Sequence, residues 1–183
     1  KRSQEHLDAR RAEILDGAKR CFSRHGYAGA TVARLEEEIG LSRGAIFNYF
    51  PSKQDLFIAV AVDVSSRYGD TIFDGGLEAA VRAMAAEDPE YLGMLMEVQG
   101  QMRHDEEFVR KFEAAAEAVQ PQLADWFESQ QRAGVFRDDV PSRELGRFAT
   151  MVLNGLALRV VGGDPTDVDA TLKLLEDALA PRK

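Results

Sequence analysis

Residues 31 to 50, TVARLEEEIGLSRGAIFNYF, set two guanidinium groups (Arg34, Arg43), a carboxamide (Asn48) and a phenol (Tyr49) around three carboxylates, Glu36, Glu37 and Glu38. Guanidinium and carboxamide forks match phosphate oxygens and the edges of guanine and adenine. Carboxylates repel the same partner. Taken alone, Arg43 reads more readily as a solvated surface charge than as such a contact. Consecutive helical positions lie about 100° apart, so the three glutamates cannot share one face. Some must point away from any polyanion, where Lys or Arg from an earlier helix can pair with them, and adjacent positions do not converge on one metal ion.

The elements that must position these groups are legible from their punctuation. Leu7, Ile14, Leu15, Ala18, Cys21 and Phe22 recur near helical spacing over 7–24, and RHGYAG ends that helix with Gly26 near a C-cap. Thr31 precedes VARLEEEI as an N-cap and Gly40 closes that short helix. Ser42 caps the next, which FPSKQDLF stops at Pro51 and recaps with Ser52 and Asp55. Two short helices joined by a tight turn containing Gly make a helix-turn-helix. In that motif the second helix enters a DNA major groove by its N-terminal residues. Arg43 can then reach a guanine edge or a phosphate, Gly44 and Ala45 admit a close backbone approach, and Asn48 can pair with adenine. The helix N-termini at Thr31 and Ser42 favour nearby phosphates. Ile46 and Phe50 point inward by their spacing, while Phe47 suits a thymine methyl and the core equally.

Composition confines that chemistry to one end of the chain. At 183 residues and 45% hydrophobic, the sequence can bury a core, and its formal net charge is -8. Residues 1–56 hold 10 Lys and Arg against 8 Asp and Glu, whereas the rest hold 13 against 23. Phosphate attraction is set by the face presented, so only the N-terminal third is a candidate for it. Cys21 is the only cysteine and reads as a buried thiol in a reducing compartment. No apolar run reaches a membrane-spanning length and nothing resembles a signal peptide, so a cytoplasmic setting is expected.

Downstream, helices are expected over 53–67, 77–87, 89–103, 105–133, 142–161 and 166–180, with Pro121 kinking the longest and Ser142 and Thr166 as N-caps of the last two. No strand signal appears. Met96, Gln99 and Arg103 continue the stripe begun by Leu92 and Leu95, which fits either a polar pocket or a stripe that turns outward in its last turn. Trp126 with Phe127, and Arg159 with Asn154, are further candidates for a pocket wall and an anion contact. His6, His25 and His104 are too scattered for a zinc signature, and no cofactor or resident metal is expected. In the last two helices Leu145, Phe148, Val152, Gly155 and Leu158 or Arg159, with Leu172, Leu175 and Leu179, form stripes that suit either self-association or an ordinary core.

The succession EILDGAKRCFSRHGYAGATVARLEEEIGLSRGAIFNYFPSKQDLF resembles the N-terminal DNA-binding domain of the TetR family of bacterial transcriptional regulators. The resemblance covers residues 13–57. It implies an all-α fold: a three-helix helix-turn-helix DNA-binding domain over 1–52, then a helical-bundle ligand-binding and dimerisation domain over 53–183, with the helix at 53–67 as connector. It implies that Thr31, Tyr49 and Lys53 contact phosphates and places Arg34 on the DNA side. It also implies that the last two helices pair two subunits, that the operator is palindromic, and that a small effector controls binding. RGAIF, LE, RDDV and the closing helices are similar to aconitase repressors of actinobacteria, which implies citrate with a divalent cation as effector and Glu97 and Glu176 as its acidic partners. A helical-bundle enzyme finds no phosphate loop, no nucleophile with a base and no Glu-x-x-His pair. A helical protein-interaction adaptor is the other alternative.

Overall fold

In a computed structural model, the chain is described over residues 4–116, 120–164 and 167–182, and among these it is helical with no strand. The helices are α1 (Gln4–Gly29), α2 (Val32–Ile39), α3 (Arg43–Phe47), α4 (Lys53–Ala85), α5 (Pro89–His104), α6 (Glu106–Ala116), α7 (Gln120–Arg132), α8 (Ser142–Val161) and α9 (Val168–Leu179). They form two compact units: Lys1–Val64 with Glu90–Ala115, and Ser65–Pro89 with Ala116–Lys183.

The first unit is built on aromatic packing. Phe22 of α1, Phe57 of α4 and Phe108 of α6 are fully buried. Phe57 meets Phe22 edge-on at 4.9 Å between centroids and Phe108 at 6.2 Å. Rings of this size carry much of a small core's apolar burial, and edge-to-face pairing suits their quadrupoles. Gly17 lets α2 approach closely, since a Cβ there would lie 2.8 Å from Ile39 Cγ1. Thus α1, α2, α4, α5 and α6 all contribute to the body that carries α3.

In the second unit, Phe127 of α7 is fully buried and sits among Trp126 and Phe136, at 5.0 Å from the indole and 5.6 Å from the other phenyl ring. Leu145, Ala149, Leu153 and Leu156 of α8 and Leu172, Leu175 and Leu179 of α9 complete this core. Arg137 donates its backbone N–H to the Leu179 carbonyl and a guanidinium N–H to that of Ala178, which fastens the end of α9.

Several expected boundaries move. Helix 1 continues to Gly29, but Gly26, at φ 65°, breaks its regularity where a stop was expected. Instead of ending at Arg67, α4 runs through Tyr68–Gly75 because Val64 and Ile72 extend its buried stripe, and its kink falls at Gly76, φ 73°. Ser142 is the first residue of α8, after Pro141, and makes no cap; Asp167, accepting from the Ala170 N–H at 2.9 Å, caps α9. The expected cap Thr166 lies outside the described residues. So do residues 117–119 of the single helix expected over 105–133, whose described parts are α6 and α7; Pro121 stands second in α7.

Candidate nucleic-acid interface

The turn between α2 and α3 is fixed by backbone chemistry. Gly40 adopts the left-handed conformation, φ 74° and ψ 22°, and donates its N–H to the Glu36 carbonyl, which ends α2 in the way that glycine alone does without strain. Thr31 Oγ1 accepts from the Arg34 N–H and Ser42 Oγ from the Ala45 N–H, each at 3.4 Å, so both expected caps form. As an α-helix α3 is short, ending at Phe47, and Asn48–Phe50 follow as turns that bond back to Gly44 and Ile46. Ile46 and Phe50 are buried, as their spacing required, and Phe47 is half-buried.

On the outside of this corner stand Arg43, Gly44 and Asn48, all exposed, with Ala45 half-buried beside them. Among the described residues the Arg43 guanidinium makes no hydrogen bond or ion pair, so a forked donor is available to a partner. Thr31 and Ser42 are exposed but engaged as caps. Arg34 is exposed and donates to the Gly29 carbonyl at 2.8 Å, which satisfies an acceptor at the end of α1.

Two of the phosphate contacts implied by resemblance are placed differently. The Tyr49 hydroxyl is buried and has no hydrogen-bond partner among the described residues, because the half-buried ring turns into the unit. Lys53 Nζ donates to the Tyr27 carbonyl at 2.8 Å and lies 4.4 Å from the Tyr27 ring centre, a position that closes the kinked end of α1. Two of its three ammonium donors remain for another acceptor.

The glutamates separate by role. Glu38 accepts from Arg24 at 2.9 Å and Arg20 at 3.2 Å, the pairing with helix 1 that the sequence suggested. Glu37 is exposed. Glu36 does not point away: its carboxylate accepts from the backbone N–H of Arg43 at 2.6 Å, across the turn. The N-terminus of α3 is therefore already supplied with one negative partner, at the Arg43 N–H.

The body behind α3 is cross-braced. Asp55, at the start of α4, accepts from Ser52 and Lys111, and Asp105, before α6, caps it through the Phe108 N–H and accepts from Gln54. Burial alone would raise the Asp55 carboxyl, but the Ser52 and Lys111 hydrogen bonds outweigh it and hold it below the ordinary carboxylate value. The Phe108 N–H does the same for Asp105.

The residues suggested for an effector pocket are spread over both units. In the first, Met96 is half-buried, Gln99 and Arg103 are exposed because the α5 stripe turns outward at its end, and the Glu97 carboxylate is engaged by the Tyr27 N–H. In the second, Trp126 packs in the Phe127 cluster, Asn154 and Glu176 are exposed, and Arg159 pairs with Asp164 at 2.8 Å. Among the described residues no three His, Cys, Asp or Glu are grouped to hold a metal ion.

The residues suggested for a dimer interface divide as well. Leu145, Leu172, Leu175 and Leu179 are buried within their own unit, since both helices must first close a core against α7 and each other. Phe148 and Gly155 are exposed and Val152 is half-buried. Leu158, placed on the same stripe by its spacing, is 61% exposed, and the sequence reading missed Met151 and Leu174, which are 63% and 70% exposed. Phe148, Val152, Thr171, Leu174 and Leu175 line a groove of about 200 Å³ between α8 and α9.

Comparison with known proteins agrees with this architecture. Residues 14–60 match the family of bacterial regulatory proteins of the tetR type. The chain is 39% identical to the HTH-type transcriptional repressor Rv1474c of Mycobacterium tuberculosis, covering 97% of this chain and 96% of that protein. It is 36% identical to the HTH-type transcriptional repressor AcnR of Corynebacterium diphtheriae, covering 97% and 95%. Among solved structures it is similar to Salmonella enterica GusR, with a TM-score of 0.73, 17% identity and coverage of 93% and 95%. The fatty acid degradation regulator FadR of Bacillus halodurans gives 0.71, 18%, 97% and 95%. With an exposed, capped helix-turn-helix at its N-terminus and such likeness along nearly its whole length, the chain belongs to the TetR family of bacterial transcriptional regulators.

Proposed function

We propose that the protein is a repressor of the AcnR type that binds a palindromic DNA operator as a homodimer and responds to a small molecule. The observation that carries this reading is the outer face of α3, where Arg43, Gly44 and Asn48 stand exposed on a helix held by caps on both sides of the Gly40 turn. Arg43 supplies a bidentate donor for guanine, Asn48 a donor–acceptor pair for adenine, and Gly44 keeps the backbone clear. Thr31, Ala45 and Phe47 flank this face, and Arg34 and Lys53 add positive charge beside it while holding the end of α1. Tyr49 supports α3 from within. In functional terms we divide the chain into a DNA-binding domain, residues 1–52, and a regulatory and dimerisation domain, residues 53–183, acting in the cytoplasm. The apolar strip of Phe148, Met151, Val152, Gly155, Leu158 and Leu174 supports pairing of two copies, which would set two α3 helices against half-sites about 34–36 Å or a multiple apart.

An effector can act only through unequal affinity for two arrangements of the dimer, and a hundredfold change in DNA affinity requires a difference of about 2.7 kcal/mol. An anionic carboxylate is the class we propose, and the candidates of each unit are to be tested separately: Met96, Gln99 and Arg103 in the first, Trp126, Asn154 and Arg159 in the second. No step is assigned to a metal. Enrichment of operators from random duplex DNA tests the reading: a palindrome should emerge, and Arg43→Ala should weaken its binding by about 1–3 kcal/mol while relaxing specificity at one base pair of each half-site. An unenriched pool would favour the adaptor alternative instead.

A further inference from the structure

Glu36 joins the two helices of the reading head by both of its acceptors. Its backbone carbonyl takes the Gly40 N–H at 2.9 Å and closes α2, while its carboxylate takes the Arg43 N–H at 2.6 Å and opens α3. One half-buried residue therefore spans the turn Gly40–Leu41–Ser42. Ser42 Oγ reaches only the Ala45 N–H, at 3.4 Å, so the shorter and charge-assisted bond at this helix start is the one made by Glu36. The helix it opens has five residues. So short a segment has little cooperativity of its own, and its orientation depends on the bonds at its ends.

We infer that Glu36 is a positioning residue for operator recognition: its carboxylate fixes the start of α3, and with it the direction from which Arg43 approaches the groove. This inference rests on the reading of α3 as the DNA-contacting helix. It gives a physical reason for a carboxylate so close to a polyanion-binding face. The charge costs affinity for any duplex, through repulsion of phosphates, and in exchange Arg43 is held where a base edge distinguishes one sequence from another. Specificity is a difference of affinities, so a group that weakens all complexes while ordering the correct one widens that difference.

The test uses the full-length protein with an operator enriched by the wild type and a random duplex of equal length, measured by fluorescence anisotropy at fixed salt. Glu36→Gln keeps a side-chain oxygen acceptor and removes the charge; Glu36→Ala removes both. The operator-to-random affinity ratio should fall about tenfold in Glu36→Ala, the scale of a lost helix cap, and stay within about twofold of wild type in Glu36→Gln. Exchange of the Arg43 amide, followed by NMR without DNA, should quicken in Glu36→Ala and remain slow in Glu36→Gln. A ratio unchanged in Glu36→Ala, or lost equally in Glu36→Gln, overturns the positioning role, as does an Arg43 amide indifferent to both substitutions. Should Glu36→Ala fail to fold, Glu36→Gln still decides through its ratio. If the wild type enriches no operator, the DNA reading falls and the role in recognition with it, whereas amide exchange still reports whether the bond forms.

Discussion

Gly26 is a residue whose substitution separates backbone strain from a side-chain contact. Its φ of 65° with ψ of 173° is a region essentially confined to glycine and strained for other residues, at about 1–3 kcal/mol. A Cβ there would also meet Glu97 Oε1 at 2.5 Å. The carboxylate is the end of a flexible side chain and can withdraw, but doing so gives up the hydrogen bond that its Oε2 accepts from the Tyr27 N–H. Gly26→Ala is therefore expected to destabilise the protein by the strain plus the value of that bond, and in a Glu97→Ala background by the strain alone. Urea unfolding of the two single variants and the double variant measures the difference; equal effects of Gly26→Ala in both backgrounds would show that the contact contributes nothing. At this scale the sequence was a partial guide. Thr31, Ser42, Gly40 and Gly26 announce their roles through residue type, because caps and left-handed turns accept few alternatives. Glu36 does not, since a carboxylate that caps the following helix from across a turn follows no fixed sequence offset. Nor does Glu97, named as a ligand group by resemblance alone, reveal in its own helix a hydrogen-bond partner seventy residues earlier in the chain.

The helices α4 and α6 are clamped by ionisable groups, and the clamp has a pH dependence whose sign follows from the shifts. Asp55 and Asp105 both titrate below their ordinary value of 3.8, Asp55 because Ser52 and Lys111 outweigh its burial, Asp105 chiefly because of the Phe108 N–H. A carboxyl depressed in the folded state contributes stability that is fully present above its unfolded value and is lost as pH falls through its folded value. Acidification below about pH 4 should therefore lower the melting temperature, and Asp55→Asn should flatten that fall because the residue no longer titrates. Thermal melts followed by circular dichroism between pH 6 and 2.5 would check this, and identical acid profiles for wild type and Asp55→Asn would refute the assignment. Helix existence was legible from apolar spacing, and the ends of α5 and α8 fell within a residue of expectation. The ends of α4 were not. The helix breaks at Gly76, where the glycines suggested it, but it runs unbroken through Gly69 and Gly75, because Val64 and Ile72 keep their face buried and burial outweighs the roughly 1 kcal/mol that each glycine costs a helix.

For the whole molecule, the decisive question is what covers the outer strip of α8 and α9. Met151, Leu158 and Leu174 are large, apolar and more than half exposed, with Phe148 beside the groove. Large apolar side chains left exposed in this way are the feature on which the proposed pairing of two copies rests. Sequence periodicity found the two helices and named Phe148, Val152, Gly155 and Leu158 of the outer strip, but grouped them with Leu145, Leu172, Leu175 and Leu179, because spacing alone does not say which apolar stripe faces inward. Leu145, Leu172, Leu175 and Leu179 serve the core, so substituting them would unfold the unit and report nothing about assembly. Met151→Lys and Leu174→Lys place a charge only on the outer strip. A charge in the centre of a two-fold interface meets its own symmetry mate, so each substitution acts twice per dimer. The expected result, by sedimentation equilibrium, is a fall from twice the 20.3 kDa chain mass to that mass, with helical content retained. DNA binding should weaken in parallel, because two half-sites are then no longer bound as one unit. Persistence of the dimer in the Met151→Lys, Leu174→Lys double variant would move the interface elsewhere on the chain.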